Sequence, residues 1–279
     1  MTLATLAMPE GLEALGELLD QVAERQRQDF GQLDSEAKAD GSLITACDRW
    51  SDAVLVEGLA RLYPGEGVLS EEGSQLVPSS DAYWVVDPLD GTTNFAHRFP
   101  AYNVTLALER DGEIIAGVVL DPCRNEIYTA ERGGGAFLNG ERMHVSTVSN
   151  LRDSLVATGF PSRKRHKNVN VHFFYQLSVM SHGVRRPGAA ALDLAFVAAG
   201  RLDMFWEFSL NPWDMAAGTL LVEEAGGRIS DMHGAPLDLR GPHILASNGL
   251  VHQESTALFA DIFAGKYQYS MPGTRPDET

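Results

Sequence analysis

A chain of 279 residues with 38 acids against 22 Lys and Arg carries a formal charge of −16, which disfavours direct nucleic-acid binding, a mode that rests on cations neutralising phosphates. Its apolar share, 44%, is enough for a sizeable core, yet no window approaches the ~18 consecutive apolar residues of a membrane-spanning helix, and no basic segment followed by a long apolar run marks a secretory leader. Cys47 and Cys123 lie far apart without metal-ligand spacing and predict small buried thiols in a reducing cytoplasm.

Leucines and a valine at helical spacing from Leu12 to Val22 predict an amphipathic helix over about Glu10 to Phe30. Asp34 to Gly41 is polar and reads as a loop. A second helix follows Ser42 to Asp48 and runs to about Tyr63, stopped by Pro64-Gly65. Thr45 and Asp48 have the spacing of a capping box, so capping accounts for them as readily as chemistry does. Gly67 to Ser70 is a short apolar run ending in Glu71-Glu72, which alone would be a solvated loop. Tyr83 to Val86 reads as a buried strand, and it stops at Asp87-Pro88-Leu89-Asp90-Gly91-Thr92-Thr93. Carboxylates at the end of a buried strand must be paired, hydrogen-bonded or metal-bound. The N–H groups of Gly91-Thr92-Thr93 can open a short helix that receives an anionic oxygen.

Asn103 to Arg110 and Glu113 to Leu120 flank an Asp111-Gly112 turn, and Glu126 to Ala130 with Gly133 to Leu138 continue an antiparallel meander. The pattern changes around Val145 to Asn150. We therefore expect one α+β subdomain over residues 1–148, a second α/β subdomain over 149–265, and a disordered tail over 266–279. In the second subdomain the expected elements are a strand from Leu155 to Phe160, helices over Val169 to Met180 and Ala189 to Ala199, and a strand from Asp203 to Phe208 carrying Glu207. After these come a helix opened by Asn211-Pro212-Trp213-Asp214, a strand from His243 to Asn248 and a helix from Leu250 to Phe263. Asn211 suits an N-cap, Pro212 the first helical position and Asp214 the first turn, so Asp214 also has a capping explanation. The dense basic run Arg163 to Lys167 reads as a solvated loop.

Taken together, Glu71, Asp87, Asp90 and Asp214 all fall at strand ends or a helix start in an alternating α and β chain, and such ends converge on one crevice. Hard oxygen donors without a Cys/His cluster favour Mg²⁺ or Mn²⁺ over Zn²⁺. His97 and His144 are isolated. Gly159-Phe160-Pro161-Ser162 is no nucleophile elbow and there is no Walker-type loop, so a metal-activated water is the simpler chemistry.

Asp87-Pro88-Leu89-Asp90-Gly91-Thr92-Thr93-Asn94-Phe95 and Pro212-Trp213-Asp214-Met215-Ala216-Ala217-Gly218 resemble the two signature motifs of the inositol monophosphatase family. Ser70-Glu71-Glu72 and Leu43-Ile44-Thr45-Ala46-Cys47-Asp48 are similar to two further family segments, in family order and spacing, and the likeness runs from about Gly11 to Phe263. The resemblance implies a layered αβαβα sandwich of the sugar phosphatase type, with an antiparallel N-terminal sheet and a mixed C-terminal sheet. It implies that Glu71, Asp87 and the Leu89 carbonyl hold one Mg²⁺, that Asp87, Asp90 and Asp214 hold a second, and that a third, weaker ion sits near Glu71. Gly91 and Thr92 would bind the substrate phosphate through their N–H groups, and Asp48 would pair with the Thr92 hydroxyl beside the attacking water, with Glu71, Thr92 and Asp48 as the catalytic set.

Asp90, Glu207, Gly188 and Ala189 are the implied contacts to a phosphorylated polyol, Ala189 standing where many members carry Ser or Thr. Inositol 1-phosphate is the first expected substrate, with histidinol phosphate, fructose 1,6-bisphosphate and a nucleotide 3′-phosphate as alternatives. A cytoplasmic homodimer is expected. Because bacterial members can serve as partners in transcription antitermination, a mainly protein-binding role is an alternative of another class, with Arg163 to Lys167 as its natural surface.

Overall fold

The computed structural model of the protein describes residues 12–32, 34–38, 41–78, 80–160 and 168–267. The basic run and almost all of the expected tail lie outside the described residues. Helix α1 (Leu15–Asp29) is followed by β1 (Ser35–Ala37), β2 (Leu43–Thr45), helix α2 (Ala46–Leu62), β3 (Gly67–Ser70), β4 (Gln75–Leu76) and β5 (Ala82–Asp90). The short helix α3 (Thr92–Ala96) leads to β6 (Asn103–Arg110), β7 (Glu113–Asp121), β8 (Glu126–Glu131), β9 (Gly135–Leu138) and β10 (Glu141–Arg142). Then come β11 (Leu155–Thr158), α4 (Asn170–Met180), β12 (Gly183–Arg185), α5 (Ala190–Ala198), β13 (Met204–Phe208), α6 (Pro212–Glu224), β14 (Arg228–Ser230), β15 (His243–Ser247) and α7 (His252–Phe263).

Eight strands form one sheet in the order β10-β9-β8-β7-β6-β5-β3-β4, and five form a second in the order β12-β11-β13-β15-β14. The first sheet is antiparallel except that β3 runs parallel to β5, and the second is mixed. Strand alternation builds the layers, because successive side chains point to opposite faces. Trp84 and Val86 of β5 pack with Leu15, Leu19 and Leu55 of α1 and α2, whereas Val85 joins Leu194 and Leu220 of α5 and α6. In the second sheet Ala157, Phe205 and Ala246 face that same α5–α6 layer, while Val156, Met204 and Trp206 face Phe173 of α4 and Phe259 of α7. Helices, sheet, helices, sheet and helices therefore stack as an αβαβα sandwich, and both sheets are covered on both faces. The middle layer is tight: a Cβ on Gly218 of α6 would stand 2.5 Å from the Leu194 Cβ of α5.

Two sequence expectations differ from the structure. The polar stretch read as a loop contains β1, which pairs with β2 in the register Glu36↔Ile44. All of β1 is exposed, so no buried alternation was there to announce a strand. Cys47 is buried among Leu89, Phe95 and Tyr102, but Cys123 is exposed in the turn between β7 and β8.

The buried His252 shows how the second sheet holds α7. Its Nε2 meets the Ser230 hydroxyl at 2.9 Å and its Nδ1 the Ser247 hydroxyl at 2.8 Å, which ties the start of α7 to β14 and β15. Burial, aided by the charge of Arg228, pushes the imidazole down from 6.5 to about 4. The unfolded chain thus binds a proton that the folded chain refuses between those values, so this histidine's contribution is complete above about pH 6.5 and shrinks as pH falls toward 4. Urea melts of His252→Gln against wild type at pH 7 and pH 4.5 should show a stability gap that narrows at the lower pH by roughly 2 to 3 kcal/mol. A gap that does not change with pH would refute it.

Candidate active site

The site grows from an irregularity in β5. The ladder with β6 runs in register to Asp87↔Thr105 and resumes at Asp90↔Asn103, so residues 87 to 90 span what 105 to 103 span on the partner: one extra residue, a β-bulge. Pro88 has no N–H to miss from the ladder. Its carbonyl instead accepts from the amide of Gln26, a wholly buried residue of α1, at 2.8 Å, and the Leu89 N–H turns back to Asp87 Oδ1 at 3.0 Å. In a regular strand Asp87 and Asp90, three apart, would face opposite sides. The extra residue brings Asp90 to the α5 side, where its Oδ2 accepts from Asn103 Nδ2 at 2.9 Å and from the Ala191 N–H at the start of α5 at 3.2 Å.

Gly91 follows with φ +88°, and a Cβ there would lie 2.8 Å from the Ala101 carbonyl oxygen. Only glycine fits. It opens α3, whose first residue, Thr92, donates its hydroxyl to Asp48 Oδ1 at 2.8 Å, with the Leu89 carbonyl a second acceptor at 3.1 Å. The other Asp48 oxygen, Oδ2, accepts from the Thr45 N–H at 2.8 Å and from the Thr45 hydroxyl, the capping box of α2. One carboxylate thus caps a helix and meets Thr92. Burial raises its affinity for a proton, and the bonds from Thr45 and Thr92 work against that rise.

Parallel pairing of β3 with β5 carries Glu71 to the same sheet end as Asp87. Thr105, the ladder partner of Asp87, donates its hydroxyl to the Trp213 carbonyl at 2.9 Å and so draws the start of α6, with Asp214, to Asp87. The Asp214 Oδ2 accepts from the Asn211 N–H at 2.7 Å. These carboxylates feel one another. Burial raises Asp87 well above the usual range, and the charges of Glu71, Asp90 and Asp214 add to it. Burial likewise lifts Asp90 to about 6 and Asp214 to about 8, the latter helped by Asp90 and Glu71.

Such a set is short of positive charge. A cation beside Glu71 is Lys38, just past β1, whose Nζ stands 3.1 Å from Glu71 Oε1 and 2.6 Å from Glu72 Oε1. Burial alone would lower the Lys38 pKa, but its bonds to Glu72 and the charge of Glu71 outweigh that and hold it above its ordinary value. An all-oxygen donor set of mutually repelling carboxylates, Asp87 buried and Glu71, Asp90 and Asp214 half-buried, fits hard divalent cations such as Mg²⁺ or Mn²⁺. As the chain is folded here, no group of three or more His, Cys, Asp and Glu side chains among the described residues is disposed to hold an ion.

The remaining wall comes from the second sheet. β11 and β13 run parallel with Thr158 beside Trp206, which sets Gly159 against Glu207. A Cβ on Gly159 would meet the Glu207 carboxylate oxygens at 2.1 and 2.2 Å, so only glycine leaves that carboxylate its place. Burial pushes Glu207 up to about 8, with Asp214 and Asp90 adding to it. Gly188, at φ +85°, gives its carbonyl to Asn94 Nδ2 at 3.2 Å, and the Ala189 methyl lies 3.4 Å from where a Gly91 Cβ would be. Of the residues singled out in the sequence, Asp48, Leu89 and Thr92 are joined by hydrogen bonds, and Glu71, Asp87, Asp90, Asp214 and Glu207 by their charges, while the Ala189 methyl faces the space a side chain at Gly91 would enter. A sequence model of the inositol monophosphatase family matches residues 3–264.

The chain belongs to the inositol monophosphatase family.

An inositol-1-monophosphatase of Mesorhizobium japonicum is 44% identical over 81% of this chain and 87% of its own length. A Nus factor SuhB of Pseudomonas aeruginosa is 47% identical over 74% of this chain and 78% of its own. The crystal structure of the extragenic suppressor protein SuhB from Bartonella henselae superposes with a TM-score of 0.85 at 36% identity, covering 89% of this chain and 97% of that one.

This inositol monophosphatase family site also includes residues that sequence reasoning missed. Lys38 sat in a presumed loop, and Gln26 looked like one more polar position of a helix. Asn103 began a strand, with nothing to say that its amide would brace Asp90. Asp193 of α5 is buried with neither carboxylate oxygen hydrogen-bonded, and burial, with the charges of Glu207 and Asp90, raises it well above the usual range.

Proposed function

We propose that this chain is a divalent-cation-dependent phosphomonoesterase acting on a small phosphorylated polyol, inositol 1-phosphate first. The observation that carries it is the convergence of Glu71, Asp87, Asp90 and Asp214 from β3, β5 and α6 into one mutually repelling group beside the Thr92–Asp48 hydrogen bond. In this reading Glu71, Asp87 and the Leu89 carbonyl would hold one Mg²⁺, Asp87, Asp90 and Asp214 would hold a second, and Glu71 would lie near a third; Mn²⁺ would suit the same oxygens. The chemistry such cations would supply there is a lowered pKa for a bound water and neutralised phosphate charge.

The chain's own groups do the positioning. The Thr92 hydroxyl, donating to Asp48, keeps lone pairs to accept from a water, and a proton leaving that water passes to Thr92 as Thr92 gives its own to Asp48. Glu71 orients the same water. The N–H groups of Gly91 and Thr92 receive the phosphate, while Asp90, Glu207, Gly188 and Ala189 meet the polyol. Phosphate release from inositol 1-phosphate, histidinol phosphate, fructose 1,6-bisphosphate and a nucleotide 3′-phosphate, with Mg²⁺ and with EDTA, tests this directly. Turnover that persists in EDTA, or none from a folded protein supplied with Mg²⁺, would sink it. Gly159→Ala, by displacing Glu207, should raise the KM for the preferred polyol phosphate roughly tenfold with kcat little changed; a loss confined to kcat would argue against Glu207 as a polyol contact.

A cytoplasmic homodimer belongs to the same reading, and the exposed edge of α4 at Val171, Tyr175 and Val179 is a face such a contact would cover. No helix among the described residues is long and apolar enough to cross a membrane. The relative named Nus factor SuhB favours a second reading, a protein-binding role in transcription antitermination. A partner retained by Asp87→Asn but lost on charge reversal of Arg163 to Lys167 would support that role, and no retained partner would remove it.

A further inference from the structure

We propose that Arg186 is a specificity-determining residue of this site, one that equips its polyol end for substrates carrying a second anionic group, a second phosphate above all. The inference rests on the phosphatase reading and names its substrate class. Strands β11, β12 and β13 run parallel, with Ala157 paired to both Arg185 and Phe205. Their ends therefore deliver Gly159-Phe160, Arg186 and Glu207 to one edge. There the Arg186 Nη2 donates to the Phe160 carbonyl at 3.4 Å, and its Nη1 lies 3.5 Å from where a Cβ on Gly188 would be. The guanidinium thus stands over Gly188, beside the Phe160 carbonyl.

Charge supplies the second argument. Asp90, Asp193, Glu207 and Asp214 make this wall acidic, and a substrate with one phosphate and neutral hydroxyls asks for no cation there. A second anion does, because like charges in a partly desolvated cleft repel strongly. Arg186 is the cation whose charge reaches both Glu207 and Asp193 and works against the rise of each. It is exposed and makes no ion pair among the described residues, so most of its donors remain for a ligand. A planar guanidinium matches phosphate with paired donors, which an ammonium does not.

The test measures kcat/KM for inositol 1-phosphate, fructose 1,6-bisphosphate and adenosine 3′,5′-bisphosphate at fixed Mg²⁺ and ionic strength, for wild type, Arg186→Met and Arg186→Lys. The two bisphosphates separate a sugar source of the second anion from a nucleotide source. Arg186→Met should lower kcat/KM for at least one bisphosphate by roughly 10- to 100-fold, chiefly through KM, as loss of a charge-assisted bond predicts. Inositol 1-phosphate should change by less than about twofold, and Arg186→Lys should restore part of the loss. Equal losses on all three substrates, no loss on any, or a wild type that turns over inositol 1-phosphate alone would each overturn the role of Arg186 while leaving the phosphatase reading standing. Turnover of none of the three overturns both.

Discussion

Asp87→Asn is expected to lower metal-dependent phosphate release by at least ~10³-fold while raising the thermal midpoint of the metal-free protein, since each follows from the same crowded charge. Asp87 is almost wholly buried, and the charges of Glu71, Asp90 and Asp214 oppose its ionisation. Its folded pKa lies above the unfolded one, so the folded state is penalised once pH rises past the ordinary carboxylate range, and the penalty grows until the folded value is passed. An amide of the same shape removes it. At pH 7 in EDTA the gain should be about 1 to 3 kcal/mol, a few degrees in Tm. Added Mg²⁺ should then stabilise wild type strongly and the variant little, because a ligand stabilises only the state it binds. A variant that melts lower than wild type in EDTA would show that Asp87 is held by attractions absent from this account.

Thr92→Val should lower kcat by roughly 10²- to 10³-fold with little change in KM, the usual worth of a positioned proton acceptor and its relay. Valine keeps the shape and deletes the hydroxyl that Asp48 Oδ1 accepts from at 2.8 Å. The pH profile adds a signature that a packing defect would not give. Burial already raises the Asp48 pKa and the Thr92 bond opposes that rise, so deleting the bond lifts it further. Residual activity in Thr92→Val should accordingly fall away on the acid side at a higher pH than in wild type, and Thr92→Ser should keep most of both rate and profile. An acid limb that stays in place, with a kcat loss of less than about tenfold, would remove Thr92 and Asp48 from the proton path.

Much of this architecture was legible in the chain. Periodicity gave α1, capping and stop residues gave α2 and α6, and the Asp111-Gly112 turn announced the β6–β7 hairpin that the structure contains. Short, exposed or edge strands escaped, among them β1, β4, β12 and β14, because a strand of two or three residues is decided by its partner and has no alternation of its own to display. The capping residues at Thr45 and Asp48 were read correctly as caps. Capping did not exclude a place in the site, since Oδ2 of Asp48 serves the helix and Oδ1 receives Thr92.

The sequence by itself determined which groups are present and at which chain positions: acids where strands stop, glycines where a Cβ cannot stand, and the motifs that mark the inositol monophosphatase family. Only the tertiary structure decided how those groups meet. Asp87 and Asp90 share a face because one extra residue slips into β5, and that slip depends on β6 opposite and on Gln26 of a distant helix, whose amide donates to the Pro88 carbonyl in place of the ladder. A single-residue change of register inverts every side chain beyond it, and register is a property of two strands, not of one. For the same reason Gly159 against Glu207 and Arg186 at the Phe160 carbonyl could be found only once parallel strands had carried segments far apart in the chain to a common edge, and Lys38 at Glu71 only once the loop ends after β1 and β3 had met.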